Sequence, residues 1–297
     1  MSTAALSDQS AVVNSEKASF QVTELVTGLE HPWGLAFLPD GSMLITERGG
    51  RLRRFKEGRL DPKPIEGLPP VWAHGQGGLL DIVVDPQFIL NRRIYLSYVQ
   101  GRLLQKVTTV VVRARLDAAT LTKIDVIFKA QPMAYGTRHF GSRLLFAPDG
   151  SLLITLGDRG KREWAQDPGL DPGSIIRILS SGELPSDNPF IQSGPKRAAV
   201  FAYGNRNPQG LALHPGSGEI CMHDHGPRGG DELNRLQAGT NYGWPTISYG
   251  QEYFSSAPIG EGTHKPGLAQ PFHYWVPSIA PSGMTFYSGK DFPAWKD

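Results

Sequence analysis

Short apolar runs separated by Pro- and Gly-containing corners recur along the chain. Residues 34–48, GLAFLPDGSMLITER, read as apolar strand, Pro-Asp-Gly turn and apolar strand; residues 142–158, SRLLFAPDGSLLITLGD, repeat the phrase. Looser copies run from Gly78 to Tyr98, with Asp85 and Pro86 at the corner, and from Gly210 to Asp224, with HPGSG at 214–218. A fifth start stands at residues 282–287, SGMTFY. An Asp-Gly pair lets the backbone reverse through positive φ between two strands, a strong hairpin signal. With Pro39, Pro86, Pro148 and Pro215 as markers, the repeats step by 47, 62 and 67 residues, the range of a four-stranded blade with insertions. No segment sustains the 3.6-residue apolar period of a helix over several turns, so few helices are expected. The pattern predicts an all-β chain folded as one β-propeller; a β-sandwich would leave the repeated phrase unexplained.

Composition agrees with this reading. The 297 residues are 39% hydrophobic and 20% charged, and 35 Gly and 24 Pro are spread along the whole length. That much punctuation suits many short strands joined by turns. The net charge is +2 with both signs interspersed, which is no footprint for nucleic acid or an anionic membrane. Cys221 is the single cysteine, so an intrachain disulfide is excluded. No uninterrupted apolar run is long enough for a spanning helix, so membrane insertion is not expected. Residues 1–20 are polar and rich in Ser and Ala, with Asp8, Glu16 and Lys17 among them. They lack the basic start and apolar middle of a signal peptide and are expected to be a disordered tail, a remnant of an export sequence. Residues 21–297 are then the propeller domain.

Propellers bind ligands where loops at one end surround the central channel, so the polar segments between strands carry the chemistry. Four stand out. GQGGLLD at 75–81 contains Gln76 and by itself reads as a tight turn into a strand. GTRHFGSR at 136–143 places His139 just before a strand; an imidazole titrating near neutral pH can take a proton from a hydroxyl. Asp158 closes the same hairpin and could fix the tautomer of His139. YGNRNPQG at 203–210 presents Arg206 and Asn207 in a loop stiffened by Gly and Pro, suited to a ligand with several carboxylates. CMHDHGPRGGDELN at 221–234 is followed by NYGWP at 241–245. Cys221, His223 and His225 share a strand face, but a zinc site would need a fourth ligand and recognisable spacing, so zinc is disfavoured. The oxygen-rich stretch after them suits calcium better.

Any one segment alone reads most simply as a turn. Together and in this order they resemble the glucose/sorbosone dehydrogenase family, in particular its soluble bacterial aldose sugar dehydrogenases, which depend on pyrroloquinoline quinone (PQQ). The resemblance runs from about Val22 to Tyr287 and begins with HPWGLAF at 31–37. It implies a six-bladed propeller of four-stranded antiparallel blades. It implies that His139 is the base, that Asp158 supports it, and that Arg206 stabilises charge on the quinone oxygen. Gln76, Arg206, Asn207 and Tyr253 would contact PQQ. Backbone oxygens of Gly226 and Pro227 would hold a Ca2+ bridging PQQ, and Glu232 with the Tyr242 carbonyl would hold a structural Ca2+. The implied reaction removes the anomeric hydroxyl proton of an aldose and passes hydride to the quinone, giving a lactone. The implied setting is periplasmic, with an electron acceptor of unknown identity and a homodimer left open.

Two departures qualify the resemblance. Arg138 precedes the base where glucose dehydrogenases carry an acidic residue, which favours the broader aldose group. Family chains also continue past residue 287, so the expectation is about five of six blades, with the last incomplete. The cationic clamp for the PQQ carboxylates would then be absent, leaving little activity unless that segment exists elsewhere. Two other readings are a calcium-dependent lactonase-like hydrolase and a non-catalytic binding propeller.

Overall fold

The structure, a computed structural model, describes residues 11–102, 104–195 and 197–296. Strands β1 (Ala11–Asn14) and β2 (Ser19–Val22) form an antiparallel hairpin. Residues 11–20 were expected to be part of a structureless tail. Instead the hairpin is closed by Ser15, whose Oγ donates to the Ala18 carbonyl at 2.8 Å. Phe20 packs edge-on against Trp295, 5.1 Å between centroids, so an aromatic contact far along the chain anchors it. Residues 1–10 of that tail lie outside the described residues.

Four four-stranded antiparallel sheets follow in chain order. The first contains β3 (Pro32–Phe37), β4 (Met43–Glu47), β5 (Arg51–Lys56) and β6 (Arg59–Leu60). The second contains β7 (Leu79–Val84), β8 (Arg93–Gln100), β9 (Thr108–Asp117) and β10 (Thr120–Lys129). The third contains β11 (Leu144–Phe146), β12 (Leu152–Thr155), β13 (Ser174–Ile178) and β14 (Val200–Tyr203). The fourth contains β15 (Pro208–Leu213), β16 (Ile220–Asp224), β17 (Asp231–Arg235) and β18 (His273–Trp275). Each proline marker falls between the first two strands of a sheet. The two Asp-Gly corners are near copies. Gly41 and Gly150 sit at φ +80° and +81°, and the Oδ1 atoms of Asp40 and Asp149 each accept from a Ser hydroxyl two residues on at 2.6 Å. The Asp-Gly-Ser of the repeat is thus an Asx-type turn with a glycine at the left-handed position.

The blades are four-stranded and antiparallel as expected, but where about five of six were expected the described residues build four. Among the described residues the fifth start, residues 282–287, pairs with no strand. It lies against the third and fourth blades, with Phe286 edge-on to His214 at 4.7 Å and the Ser282 carbonyl accepting from Arg143 at 3.2 Å. A strand needs a hydrogen-bonded neighbour, and side-chain contacts hold this segment instead.

The core lies at the seams between blades, and the two-residue period of the strands serves both sides. Val110 and Val112 pack toward the first blade, whereas Val111 packs toward the third. Leu152 and Ile154 face the second blade, and Leu153 faces the fourth. Inner strands such as β4 and β13 are therefore buried at every position, including polar or charged residues such as Glu47 and Arg177. Each fully buried Leu, Ile or Val contributes about 1.5–3 kcal/mol relative to exposure. In this antiparallel order the start of each first strand and the end of each second strand share one end of the molecule. The segments bearing Gln76, His139, Asp158, Arg206 and Asp224 all fall there.

Candidate active site

His139 enters the site from a tightly wound loop: it sits at φ +55°, and Gly141 and Ser142 follow at +60° and +82°. Strain of this kind in a non-glycine residue persists only where surrounding contacts enforce it. Here the His139 backbone N–H donates to Gln76 Oε1 at 2.6 Å, and the Gln76 N–H donates to the Thr137 carbonyl at 2.8 Å. Gln76 therefore both occupies a turn and touches the histidine loop.

His139 is 7% exposed, and its Nδ1 lies 2.7 Å from Oδ1 of Asp158, which is fully buried. Asp158 Oδ1 also accepts the Gly160 N–H at 2.6 Å, and Oδ2 accepts the Trp244 indole N–H at 2.9 Å. Burial opposes the charge on Asp158, but the His139 ring and these donors outweigh it and hold the carboxyl below its usual value. Burial lowers the pKa of His139; Asp158 works against this, while Arg206 and Arg138 add to it. An ionised carboxylate can only accept, so Nδ1 carries the proton and Nε2 is left as the acceptor.

Arg206 and Asn207 are set by Asp224 at the end of β16. Its Oδ2 accepts the Arg206 N–H at 2.7 Å and its Oδ1 the Asn207 N–H at 2.6 Å. The Arg206 carbonyl accepts the Asp158 N–H at 2.8 Å, which ties this loop to the base pair. The Arg206 guanidinium donates to the His225 carbonyl and to the Tyr253 hydroxyl, both at 3.1 Å. Asn207 Oδ1 accepts the Gly141 N–H at 3.0 Å. Six of the expected residues, Gln76, His139, Asp158, Arg206, Asn207 and Tyr253, are thus one connected network.

The residues expected to hold calcium come from β17 and from the loops on either side of it. Glu232 on β17 is the cross-strand partner of Asp224, and burial pushes its carboxyl up to about 8, with Asp224 and Asp231 adding to the rise. Asn234 Nδ2 donates to Glu232 at 3.2 Å, while the buried Asn234 Oδ1 has no partner among the described residues. Gly226 N–H donates to Asp231 at 2.9 Å, and the Pro227 carbonyl accepts from Gln251 at 3.0 Å. The Tyr242 side chain packs in the seam between the third and fourth blades, its hydroxyl donating to the Arg235 carbonyl at 2.6 Å. Among the described residues no group of three or more His, Cys, Asp or Glu side chains could hold a metal. His223 and His225 stack with ring centroids 5.9 Å apart, and His225 Nε2 contacts the Pro281 carbonyl.

Two residues escaped the sequence reading. Asp224 lay inside a quoted segment without a role, and Trp244 lay in NYGWP, 86 residues from the carboxylate it meets. Only the fold brings such a pair together.

Comparison with known proteins gives a consistent result. The sequence model described as Glucose / Sorbosone dehydrogenase matches residues 29–297. The chain is 45% identical over 283 residues to the aldose sugar dehydrogenase YliI of Escherichia coli, covering 94% of this chain and 76% of that protein. A crystal structure described as glucose dehydrogenase aligns with a TM-score of 0.89 at 48% identity, covering 92% of this chain and 80% of that one. The PQQ-bound aldose sugar dehydrogenase of Streptomyces coelicolor aligns with a TM-score of 0.74 at 28% identity, covering 95% and 77%.

Proposed function

Because the chain belongs to the glucose/sorbosone dehydrogenase family, we propose that it is a PQQ-dependent aldose sugar dehydrogenase that oxidises the anomeric hydroxyl to a lactone. The observation that carries the reading is the buried His139–Asp158 pair, 2.7 Å apart, joined through the Asp158 N–H to the Arg206 loop. A PQQ-like ligand, planar and bearing several carboxylates, suits the donors around it. Among the described residues Arg138 and Arg206 have no carboxylate partner within ion-pair distance, and the Gln76 and Tyr253 side chains are open to solvent. Gln76, Arg206, Asn207 and Tyr253 would hold the cofactor. When bound, PQQ supplies the quinone that accepts hydride from the anomeric carbon.

The protein's own part is proton transfer and charge placement. Nε2 of His139 takes the anomeric hydroxyl proton, and ionised Asp158 stabilises the imidazolium that results. Arg206, its carbonyl and guanidinium both engaged, keeps a fixed positive charge where negative charge develops. Calcium suits the Glu232 neighbourhood, where the Asn234 Oδ1, unpartnered among the described residues, lies beside a carboxyl whose ionised form burial disfavours. A cation there would favour the ionised carboxylate. The periplasmic setting belongs to this proposal; no helix of the described residues is long and apolar enough to cross a membrane.

The test is a dye-reduction assay with PQQ, Ca2+ and a panel of aldoses. Sugar-dependent reduction, abolished in His139→Ala with PQQ binding retained, is the expected result. Lactone hydrolysis without PQQ, or no sugar-dependent change with any aldose, would overturn the reading.

A further inference from the structure

Oδ1 of Asp158 meets two donors, the His139 ring and the Gly160 N–H, whereas the Trp244 indole is the one hydrogen-bond donor on Oδ2 among the described residues. A carboxylate turns easily about its last bond, because that torsion is broad and two-fold. Something must therefore hold Asp158 in the orientation His139 needs.

We infer that Trp244 is the positioning residue of this pair: its indole N–H locks the Asp158 carboxylate so that His139 keeps its proton on Nδ1 and presents Nε2 bare. The catalytic consequence rests on the dehydrogenase reading; the positioning itself does not.

The indole is well placed to act as a lock. It is 6% exposed and packs against Ala165 and Ile259. Its backbone N–H donates to the Gly204 carbonyl at 2.9 Å, and its carbonyl accepts from Gln166 at 2.7 Å. Two guanidinium groups lie near the ring, Arg162 at 5.4 Å and Arg206 at 5.5 Å from the centroid. Arg162 is itself held by both oxygens of Glu252. One side chain thus touches the carboxylate that orients the base and the cation that serves the developing charge. Replacing the indole leaves Oδ2 buried without a donor and concentrates the carboxylate's charge on Oδ1. The imidazolium of His139 would then be stabilised more strongly. The other charges in reach are Arg138 and Arg206 facing His139, and Arg159, Arg162 and Asp224 facing Asp158; the substitution alters none of them.

The experiment follows the His139 ring C–H resonance against pH in the ligand-free protein, assigned by its loss in His139→Gln. Trp244→Phe keeps an aromatic ring beside Arg206 and removes the N–H. The expected result is an upward shift of the His139 titration by about half a pH unit, with the acid limb of kcat/KM moving the same way in the PQQ-loaded enzyme. An unshifted titration in a folded Trp244→Phe protein would overturn the inference. If that variant fails to fold, the indole N–H resonances of the native protein decide. The Trp244 signal should follow the His139 titration, and one that ignores it sinks the idea. Failure of the dehydrogenase reading would show as absent sugar-dependent PQQ reduction while these ligand-free titrations still shifted.

Discussion

Asp224 holds Arg206 by its backbone: Oδ2 accepts the Arg206 N–H at 2.7 Å, while Oδ1 takes that of the next residue, Asn207, at 2.6 Å. The loop that carries the cationic side of the site is thereby fixed by a residue on the neighbouring hairpin, independently of what its side chains do. Asp224→Ala would leave two buried N–H groups without an acceptor, each costing about 1–3 kcal/mol. We expect a drop of at least several degrees in the melting midpoint. Weaker PQQ binding, measured by fluorescence quenching, should accompany it. An unchanged midpoint would show that the loop is held by other means.

Gly157 lies where three segments meet. A Cβ built there would stand 2.4 Å from the His139 carbonyl oxygen and 2.9 Å from Asn207 Oδ1. The backbone oxygen cannot swing aside as a flexible side chain would. Gly157→Ala should therefore displace the histidine loop, and a displacement of about 1 Å at a reacting group can cost about 10²-fold in rate. The measurement is kcat/KM alongside thermal stability. A fully active variant would show that this approach is looser than the geometry indicates.

The base pair makes a prediction in pH. Burial holds His139 below 6.5, so it stays an unprotonated acceptor through neutral pH, and the acid limb of kcat/KM should fall below pH 6.5. Asp158→Asn can donate its amide N–H to Nδ1, which forces the ring proton onto Nε2 and removes the acceptor. A loss of about 10³–10⁴-fold in kcat is expected, the size seen when a histidine's orienting carboxylate becomes an amide. A loss below tenfold would argue that Asp158 does not set the tautomer.

His223 makes a second pH prediction, this time in stability. It is 2% exposed, neither ring nitrogen has a partner among the described residues, and burial lowers its pKa to about 4, with His225 and Arg143 adding to the drop. Between pH 6.5 and about 4 the unfolded chain binds a proton at this residue and the folded chain does not. Stability contributed by keeping it neutral is therefore complete above pH 6.5 and is lost as pH falls toward 4, up to about 3 kcal/mol. The buried carboxyls of Asp224 and Glu232, raised to about 7 and about 8, act in the opposite direction. The quantity to measure is thus the denaturation difference between wild type and His223→Leu at each pH. Its slope should be positive across that window, and a flat difference would contradict the buried neutral histidine.

Much of the fold was legible because its punctuation is local. The Asp-Gly-Ser corner at Asp40 and its copy at Asp149 depend only on an Asx turn and one positive-φ glycine, both read directly from residue types. Each of the four proline markers therefore located one blade. The fifth start failed as a strand because the same letters form a ladder only beside a partner, and residues 282–287 lie against Arg143 and His214 instead. The hairpin at residues 11–22 went unread for the converse reason: the contacts of Phe20 with Phe292 and Trp295 span almost the whole chain.

The site divides in the same way. The sequence by itself determined the residue types that bear the chemistry: a histidine before a strand, a carboxylate at the far end of its hairpin, and an Arg-Asn pair in a rigid loop. It also determined, through the order of its motifs, the family those residues belong to. Tertiary structure alone decided that Asp224 would carry the Arg206 loop, that Trp244 would close on Asp158, and that the Tyr242 side chain would pack in the seam between the third and fourth blades. These are pairings between blades, or between a strand and a distant loop. Neither periodicity nor spacing encodes which blade will lie next to which until the seams have packed.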